Sequence, residues 1–239
     1  MPKSLYKRVL LKLSGEAFVP QQGQQGIDTN ALAQLASKVV AMHKTGVQVA
    51  IVVGGGNLFR GDALSKTGMN RITADQISIL ATVMNALAFR ESLEEAGALT
   101  CVQSAVDISG FVEPFNRRQA IEHLNNGRIV VFAGGTGNPL VTTDSTASLR
   151  AIEIDADVLL KATKVDGIYD GDPKTNPKAK RFSTLTYNDV IQRDLCVMDL
   201  AAVCMCRDNK MSLRVFNMYE ENVFTHVLTD DSIGTMVGD

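Results

Sequence analysis

Three consecutive glycines follow an apolar run in the first quarter of the chain, and an arginine comes four residues later. Residues 47–53 are almost wholly apolar, which is typical of a strand buried on both faces in a parallel sheet. Gly54, Gly55 and Gly56 have no Cβ, so a ligand can approach their N–H groups closely. Arg60 adds a planar guanidinium that suits phosphate. A strand-end turn beside a surface arginine would also explain this stretch, but three successive glycines favour an anion-binding loop.

Two other apolar strands contain lysines. Residues 8–13 (RVLLKL) include Lys12, and residues 158–165 (VLLKATKV) include Lys161 and Lys164. Burial of an unpaired ammonium group is costly. A lysine stem can lie along the surface while its head reaches water. The position of Lys12 just before a glycine turn instead favours an ammonium group aimed at a phosphate, at the carboxyl end of the strand where α/β sheets bind ligands.

A second glycine-rich segment, residues 134–139, follows another apolar strand and leads to a helix. Thr143 or Asp144 is a suitable N-cap for that helix, and the free N–H groups of a helix start form an anion site. Converging glycines and cations suit phosphoryl transfer, in which catalysis is mostly positioning and charge neutralisation. Asp144 is our candidate for a carboxylate that holds two lysines beside the transferred group.

Composition excludes several classes of protein. With 239 residues, 45% of them hydrophobic, the chain can form one large domain or two small ones. A net charge of −2, from 24 basic and 26 acidic residues, argues against a general polyanion binder. The absence of Trp and the 5% aromatic content argue against a stacking platform for single-stranded nucleic acid. The four cysteines form no CxxC pair, and we find no signal peptide or long apolar run, which indicates a soluble protein of a reducing compartment without a membrane partner.

Familiar catalytic motifs are missing from the sequence. It contains no P-loop, no HRD or DFG set of protein kinases, and neither GxSxG nor HExxH. GxGxxG is not met at Gly54, because residue 59 is Phe, and this weakens a dinucleotide-binding interpretation. His43, His123 and His226 all fall on predicted helices away from the glycine loops, so we interpret them as surface or packing residues.

Strands and helices alternate along the chain. This pattern predicts a mainly parallel central sheet with helices on both faces, a three-layer α/β/α fold. No break in composition marks a linker, so residues 1–239 are expected to form a single domain. The predicted strands are 8–13, 47–53, 99–102, 128–133, 158–165, 213–217 and an edge strand within 232–237. The predicted helices are 28–46, 73–97, 116–126, 143–154, 186–195, 199–206 and 222–228.

Two stretches are expected to be loops. Residues 18–26 are Gln- and Gly-rich and show no periodicity, and residues 62–71 are polar. Thr73 and Gln76 have the spacing of a capping box for the long helix that follows. Asp75 then falls in the first turn of that helix. Its carboxylate could interact favourably with the helix dipole or accept hydrogen bonds from ribose hydroxyls, and the sequence leaves both roles open.

Taken in order, these motifs resemble those of the bacterial UMP kinase family, which has the amino acid kinase fold. The matching segments are KLSG at 12–15, GGGNLFRG at 54–61, GMNR at 68–71 with Asp75, TGNP at 136–139 with Thr142-Thr143-Asp144, and KATKVDG at 161–167 with Asp172-Pro173. The resemblance extends from about residue 6 to the C terminus.

The resemblance implies that ATP phosphorylates UMP to UDP, with Mg²⁺ held mainly by the phosphates. Catalytic roles would fall to Lys12, Arg60, Asp144 and Lys161. ATP would be bound by Lys12, Leu13, Ser14, Gly15, Gly56, Arg60, Thr163, Tyr169 and Asp172. UMP would be bound by Gly55, Asp75, Thr136, Gly137, Asn138, Pro139, Leu140, Val141, Thr142 and Thr143.

The resemblance also implies a cytoplasmic homohexamer that is activated by GTP and inhibited by UTP. The GTP-responsive region would map near residues 21–26, which here are Gln-rich and slightly altered in length. No nucleic-acid or membrane partner is expected.

Three alternatives compete with this interpretation, and each makes a different demand on the residues. A kinase of the same fold with a carboxylate or carbamate acceptor would have cationic acceptor-binding residues in place of Asp75 and the TGNP segment. A non-enzymatic nucleotide- or oxyanion-binding protein of this fold would be expected to lack the lysines or Asp144. A dehydrogenase would need the glycine fingerprint and a histidine placed for proton transfer, and the sequence lacks both.

Overall fold

A single nine-stranded sheet organises the part of the chain that the computed structural model describes, residues 4–19, 25–173 and 175–238. Its strands are β1 (Arg8–Leu13), β2 (Gln48–Val53), β3 (Thr100–Ser104), β4 (Glu113–Pro114), β5 (Ile129–Ala133), β6 (Val158–Thr163), β7 (Thr184–Leu185), β8 (Leu213–Asn217) and β9 (Thr235–Val237). Their order across the sheet is β4-β3-β5-β2-β1-β6-β8-β9-β7. Neighbouring strands are parallel except β8 and β9, so the predicted mainly parallel sheet is confirmed.

Helices cover both faces of the sheet. They are α1 (Thr29–His43), α2 (Gly61–Lys66), α3 (Arg71–Glu95), α4 (Arg117–Asn125), α5 (Thr143–Glu153), α6 (Tyr187–Gln192), α7 (Leu200–Asp208) and α8 (Val223–His226). Side chains of β1 alternate between two apolar cores. Val9, Leu11 and Leu13 join the core of α1, α3 and α8, whereas Leu10 joins the core of α4 to α7. The three-layer prediction is therefore confirmed, and Lys12 lies on the same face as Leu10.

The long helix begins earlier than its sequence predicts. Asn70, rather than Thr73, caps it, because the Asn70 side chain accepts hydrogen bonds from the Ile72 and Thr73 N–H groups. The capping-box prediction is therefore wrong. The predicted loop at 62–71 is also partly wrong, because α2 occupies its first half.

Two smaller predictions need correction. Phe18 ends a short 3-10 helix, Gly15–Phe18, and is fully buried against Phe89, so the predicted exposed loop cannot begin there. β9 is not an edge strand, because β7 lies outside it. The two-residue strands β4 and β7 gave no signal in the sequence. The predicted effector region at 21–26 lies, for residues 21–24, outside the described residues.

Among the described residues, α3 is the one helix long and apolar enough to cross a membrane. Its side chains Val83, Ala86, Phe89 and Leu93 instead belong to the core that covers the sheet. Core helices of soluble proteins share these properties, so the length and composition of α3 carry no membrane assignment.

Candidate active site

The carboxyl ends of four neighbouring strands form the rim of the candidate site. β5, β2, β1 and β6 are consecutive in the sheet, and each pair is parallel. The loops that follow them therefore meet at one edge. These loops contain both glycine-rich segments and the turn after Lys12, as the sequence predicts.

Lys12 and Lys161 are direct neighbours across the β1–β6 pair. Their side chains point to the same face of the sheet, because residues in register share a face. Both ammonium groups bind the carboxylate of Asp144: Lys12 Nζ lies 2.9 Å from Oδ1, and Lys161 Nζ lies 2.7 Å from Oδ2. Lys161 also donates a hydrogen bond to the carbonyl of Val197. The predicted grouping of these three charged residues is present in the structure.

The electrostatics of this cluster follow from its burial. Burial alone would raise the pKa of Asp144, but the charges and hydrogen bonds of Lys12 and Lys161 together hold it below its ordinary value. Burial lowers the pKa of Lys161, and Asp144 partly offsets that effect. Asp144 is therefore an ionised carboxylate at neutral pH. With both lysines protonated, the cluster carries one net positive charge at the rim.

The start of α5 places Asp144 between the lysines. Thr142 is the N-cap, because its hydroxyl accepts hydrogen bonds from the Asp144 and Ser145 N–H groups, each at 3.1 Å. The predicted cap at Thr143 or Asp144 is thus wrong by one or two residues. Asp199 accepts hydrogen bonds from the hydroxyls of Thr142 and Ser145. It also accepts one from the Ala202 N–H group, so one carboxylate joins the starts of α5 and α7.

Close backbone packing fixes the first glycine loop. A Cβ on Gly15 would lie 2.8 Å from the Gly54 carbonyl oxygen and 2.9 Å from the Gly56 nitrogen. Asn85 donates a hydrogen bond to the same Gly54 carbonyl at 2.7 Å and forms a reciprocal amide pair with Asn57. Glycine at position 15 is therefore required by the approach of two loops.

Arg60 is paired within the protein. Its guanidinium binds Glu16, and Lys164 Nζ lies 2.9 Å from the other oxygen of the same carboxylate. Arg60 also donates a hydrogen bond to the Gly56 carbonyl at 3.3 Å. The structure thus places Arg60 beside the glycine loop, as predicted, with Glu16 as its counter-ion.

A cavity of about 800 Å³ lies on one side of the charged cluster. Asp75 lines it and accepts hydrogen bonds from Arg71 Nε at 3.0 Å and from the Leu140 N–H group at 2.9 Å. Asp75 is the fifth residue of α3 and lies beyond its first turn, so the predicted dipole role is weakened. The other predicted site residues that line this cavity are Ser14, Gly15, Gly55, Gly56, Arg60, Leu140, Val141, Thr142 and Thr143.

A second cavity, of about 550 Å³, lies beside β6. Lys161, Thr163, Tyr169 and Asp172 line it. Because Lys161 also binds Asp144, and Thr143 next to Asp144 lines the first cavity, the charged cluster lies between the two cavities.

The remaining predicted residues lie apart from these linings. Thr136 lines a smaller cavity of about 330 Å³ beside Phe115 and Arg150. Gly137, Asn138 and Pro139 connect Thr136 to the segment that lines the large cavity. Leu13 is fully buried in the core, so only its backbone is available to a ligand.

Several residues of the site escape sequence reasoning. Glu16, Asn57, Asn85 and Asp199 hold the loops and the helix start through contacts between distant parts of the chain. Asp199 gives a local signal as a helix cap, and Asn57 adjoins the glycine run, but neither pattern reveals its partner. Glu16 follows the Ser14-Gly15 turn and could have been proposed as a counter-ion for a phosphate-binding cation.

The geometry defines a rim of strand-end loops on a mainly parallel sheet, with two lysines around one carboxylate. A profile of the amino acid kinase family matches residues 7–217, and the chain belongs to this family.

Within this family, the chain is similar to proteins named uridylate kinase or UMP kinase. A uridylate kinase of Coxiella burnetii is 52% identical over 236 residues, which cover 99% of this chain and 97% of the relative. A uridylate kinase of Pseudomonas fluorescens is 53% identical over 232 residues, with 97% and 94% coverage. The crystal structure of UMP kinase from Bacillus anthracis superimposes with a TM-score of 0.94 at 39% identity and covers 98% of this chain and 96% of that chain.

Proposed function

We propose that this chain transfers the γ-phosphoryl group of ATP to UMP and releases UDP and ADP. The observation that carries this proposal is the Lys12–Asp144–Lys161 cluster between two cavities. A phosphate oxygen of UMP forms the new bond to the γ-phosphorus, and the bond between that phosphorus and the β–γ bridging oxygen breaks. Two ammonium groups next to the transferred group offset the repulsion between the two anionic substrates and the charge of the transition state.

Each of the two cavities holds one of the substrates. UMP occupies the larger cavity, where it contacts Gly55 and Asp75 and residues 140–143, and it reaches the adjoining residues Thr136 to Pro139 at the edge of that cavity. The adenosine of ATP occupies the cavity with Thr163, Tyr169 and Asp172. Its phosphates extend along Lys12, Ser14, Gly15, Gly56 and Arg60 and the backbone of Leu13 towards the cluster. Arg60 then neutralises phosphate charge, and Glu16 holds its guanidinium in position until the nucleotide arrives.

Mg²⁺ enters with ATP and is held mainly by phosphate oxygens. The carboxylates at the rim are already engaged, which is consistent with an ion held by the phosphates. Lys12 and Lys161 bind the two oxygens of Asp144. Glu16, Asp62 and Asp75 each pair with an arginine or lysine. The ion would supply further charge neutralisation on the phosphates, while the protein contributes the lysines and the loop N–H groups.

Nucleotide specificity tests this function directly. With Mg-ATP, we expect kcat/KM for UMP to exceed the values for CMP and AMP by at least about 100-fold, because a site with polar groups matched to one base rejects others strongly. A coupled assay of ADP formation across UMP, CMP, AMP and GMP measures it. Equal rates on all four monophosphates would refute the uridine assignment, and no transfer to any would refute the kinase assignment.

Asp75→Asn is expected to raise KM for UMP by about 10- to 100-fold and to change KM for ATP by less than about threefold. The reason is that a carboxylate accepts hydrogen bonds from ribose hydroxyls more strongly than an amide does. Initial rates with each substrate varied in turn give the two values.

Asp62→Asn is the matched control for that variant. Asp62 pairs with the same Arg71 but is 75% exposed, so Asp62→Asn removes one ion pair of Arg71 and leaves its pair with Asp75. If Asp62→Asn reproduces the rise in KM, the effect comes from Arg71 and the ribose role of Asp75 is wrong.

We further propose a cytoplasmic homohexamer with GTP as activator and UTP as inhibitor. The face of α3 supports an oligomer, because Ile72, Leu80 and Met84 expose 42–51% of their surface on one side of that helix. A second copy of the chain would cover them. Light scattering gives the native mass, and the same coupled assay with added GTP or UTP gives the sign of each effect.

A further inference from the structure

Cys101, Glu113 and His123 converge on one side of the sheet, away from the strand-end rim. They come from three separate elements, β3, β4 and α4. Their ligand atoms all lie within 4.8 Å of one another. The chain has only four cysteines and three histidines, so the meeting of both types with a carboxylate is an uncommon arrangement here.

The contacts within this triad are specific. His123 Nε2 lies 3.0 Å from Glu113 Oε2, and Gln103 Nε2 lies 3.4 Å from the same oxygen. Cys101 is buried at 5% exposure, whereas the Glu113 side chain is 46% exposed. The thiol thus lies at the bottom of a pocket whose carboxylate faces water, which leaves an entry path for an ion.

We propose that Cys101 Sγ, His123 Nε2 and a Glu113 carboxylate oxygen bind one divalent ion of the zinc class, with water as the fourth ligand. Thiolate and imidazole ligands select zinc-like ions over Mg²⁺ and Ca²⁺. Zinc–ligand bonds of about 2.0–2.3 Å place tetrahedral ligands roughly 3.3–3.7 Å apart. The present spacing reaches that range with small side-chain rotations.

The charged residues around the triad are compatible with a bound divalent ion. Arg90, Glu94 and Arg128 line the adjoining cavity of about 500 Å³. A thiolate, a carboxylate and a divalent ion sum to zero, so the loaded site is neutral and is not repelled by the two arginines. The same two cations stabilise a thiolate, which the metal requires.

Without an ion, the same residues form a hydrogen-bonded group. Burial, and then the hydrogen bond with Glu113, raise the pKa of Cys101 to about 12. The ion would replace the thiol proton, which leaves to water. It would also join the two-residue strand β4 and helix α4 to β3 through three bonds, which stabilises this end of the sheet.

Metal titration of the nucleotide-free full chain tests the proposal, because nucleotide phosphates would compete for the ion. After treatment with EDTA and dialysis, Zn²⁺ and Co²⁺ are added in a non-chelating buffer. We expect one ion per chain and, with Co²⁺, a thiolate-to-metal charge-transfer band. Cys101→Ser should abolish the band, and His123→Gln should weaken binding by at least about tenfold.

Substitutions of the same residue types elsewhere in the chain serve as negative controls. Cys196→Ser and His226→Gln change an exposed cysteine and an exposed histidine and should leave stoichiometry and affinity unchanged. Circular dichroism and the Tm of each metal-free variant report whether it folds. Stoichiometric binding that survives Cys101→Ser, a cobalt band lost only in Cys196→Ser, or no binding to the wild-type chain would each overturn the proposal.

Discussion

Asp144→Asn should lower kcat by about 100- to 1,000-fold with little change in either KM, a size typical for the loss of a preorganised charged group. Without the carboxylate, Lys12 and Lys161 face each other uncompensated and no longer hold fixed positions beside the transferred group. Their side chains are only 12% and 13% exposed. We therefore also expect the free energy of unfolding to fall by about 3 kcal/mol.

Steady-state kinetics at saturating substrates and urea denaturation measure the two effects. Asp208→Asn serves as the control, because the Asp208 carboxylate is 63% exposed and pairs with its sequence neighbour Arg207. We expect that variant to remain within about 0.5 kcal/mol of the wild type. A KM effect with unchanged kcat in Asp144→Asn would contradict the charge-holding role.

The same variant gives a test in acid. Because the folded-state pKa of Asp144 lies below its ordinary value of 3.8, its stabilising effect is fully present above that value. The effect is lost as the pH falls from there through the folded-state pKa. The difference in unfolding free energy between the wild type and Asp144→Asn should therefore be constant near neutral pH and shrink only below about pH 4.

Gly15→Ala is the second substitution with a large expected effect. The new methyl group would lie within 3 Å of the Gly54 carbonyl oxygen and the Gly56 nitrogen, and neither backbone atom can move freely. The reciprocal amide pair of Asn57 and Asn85 holds that loop in place. We expect a loss of about 1–3 kcal/mol in unfolding free energy from overpacking. Displacement of the loop should also lower kcat/KM by about 100-fold.

Gly238→Ala provides the matched control for that methyl group. A Cβ at position 238 would meet its nearest atom, Ser212 Oγ, at 3.6 Å, which is an ordinary contact. Thermal unfolding and kinetics on both variants separate a local clash from a general effect of the added methyl group. Wild-type kcat/KM in Gly15→Ala would show that the loop tolerates movement and does not position the substrates.

The sequence predicts the chemistry of the rim because each of its parts has a local signature. Lysines inside apolar strands, glycines at strand ends and a hydroxyl at a helix start are visible within short windows. The parallel sheet then implies that strand ends of one polarity share an edge. This reasoning places Lys12 and Lys161 near one another, and the structure confirms their meeting at Asp144.

Partners that depend on tertiary structure could not be predicted. That β1 and β6 are adjacent, with Lys12 opposite Lys161, follows from the strand order, which no local pattern encodes. The same is true of the Asn57–Asn85 pair and of the bonds from Asp199 to Thr142 and Ser145. Several neighbouring residues at the starts of α3 and α5 have side chains that can cap a helix. The backbone geometry selects Asn70 and Thr142, and residue preferences alone do not determine that geometry.

The register that pairs Lys12 with Lys161 has a consequence for protein engineering. Adjacent strands lie about 4.8 Å apart, so the ladder of backbone hydrogen bonds, and not the flexible lysine stems, sets the span between the two cations. Transfer of this chemistry to another scaffold would therefore require two neighbouring parallel strands with the same alignment. Grafting the lysines onto a loop would reproduce their charge but not the fixed distance between them that the paired strands impose.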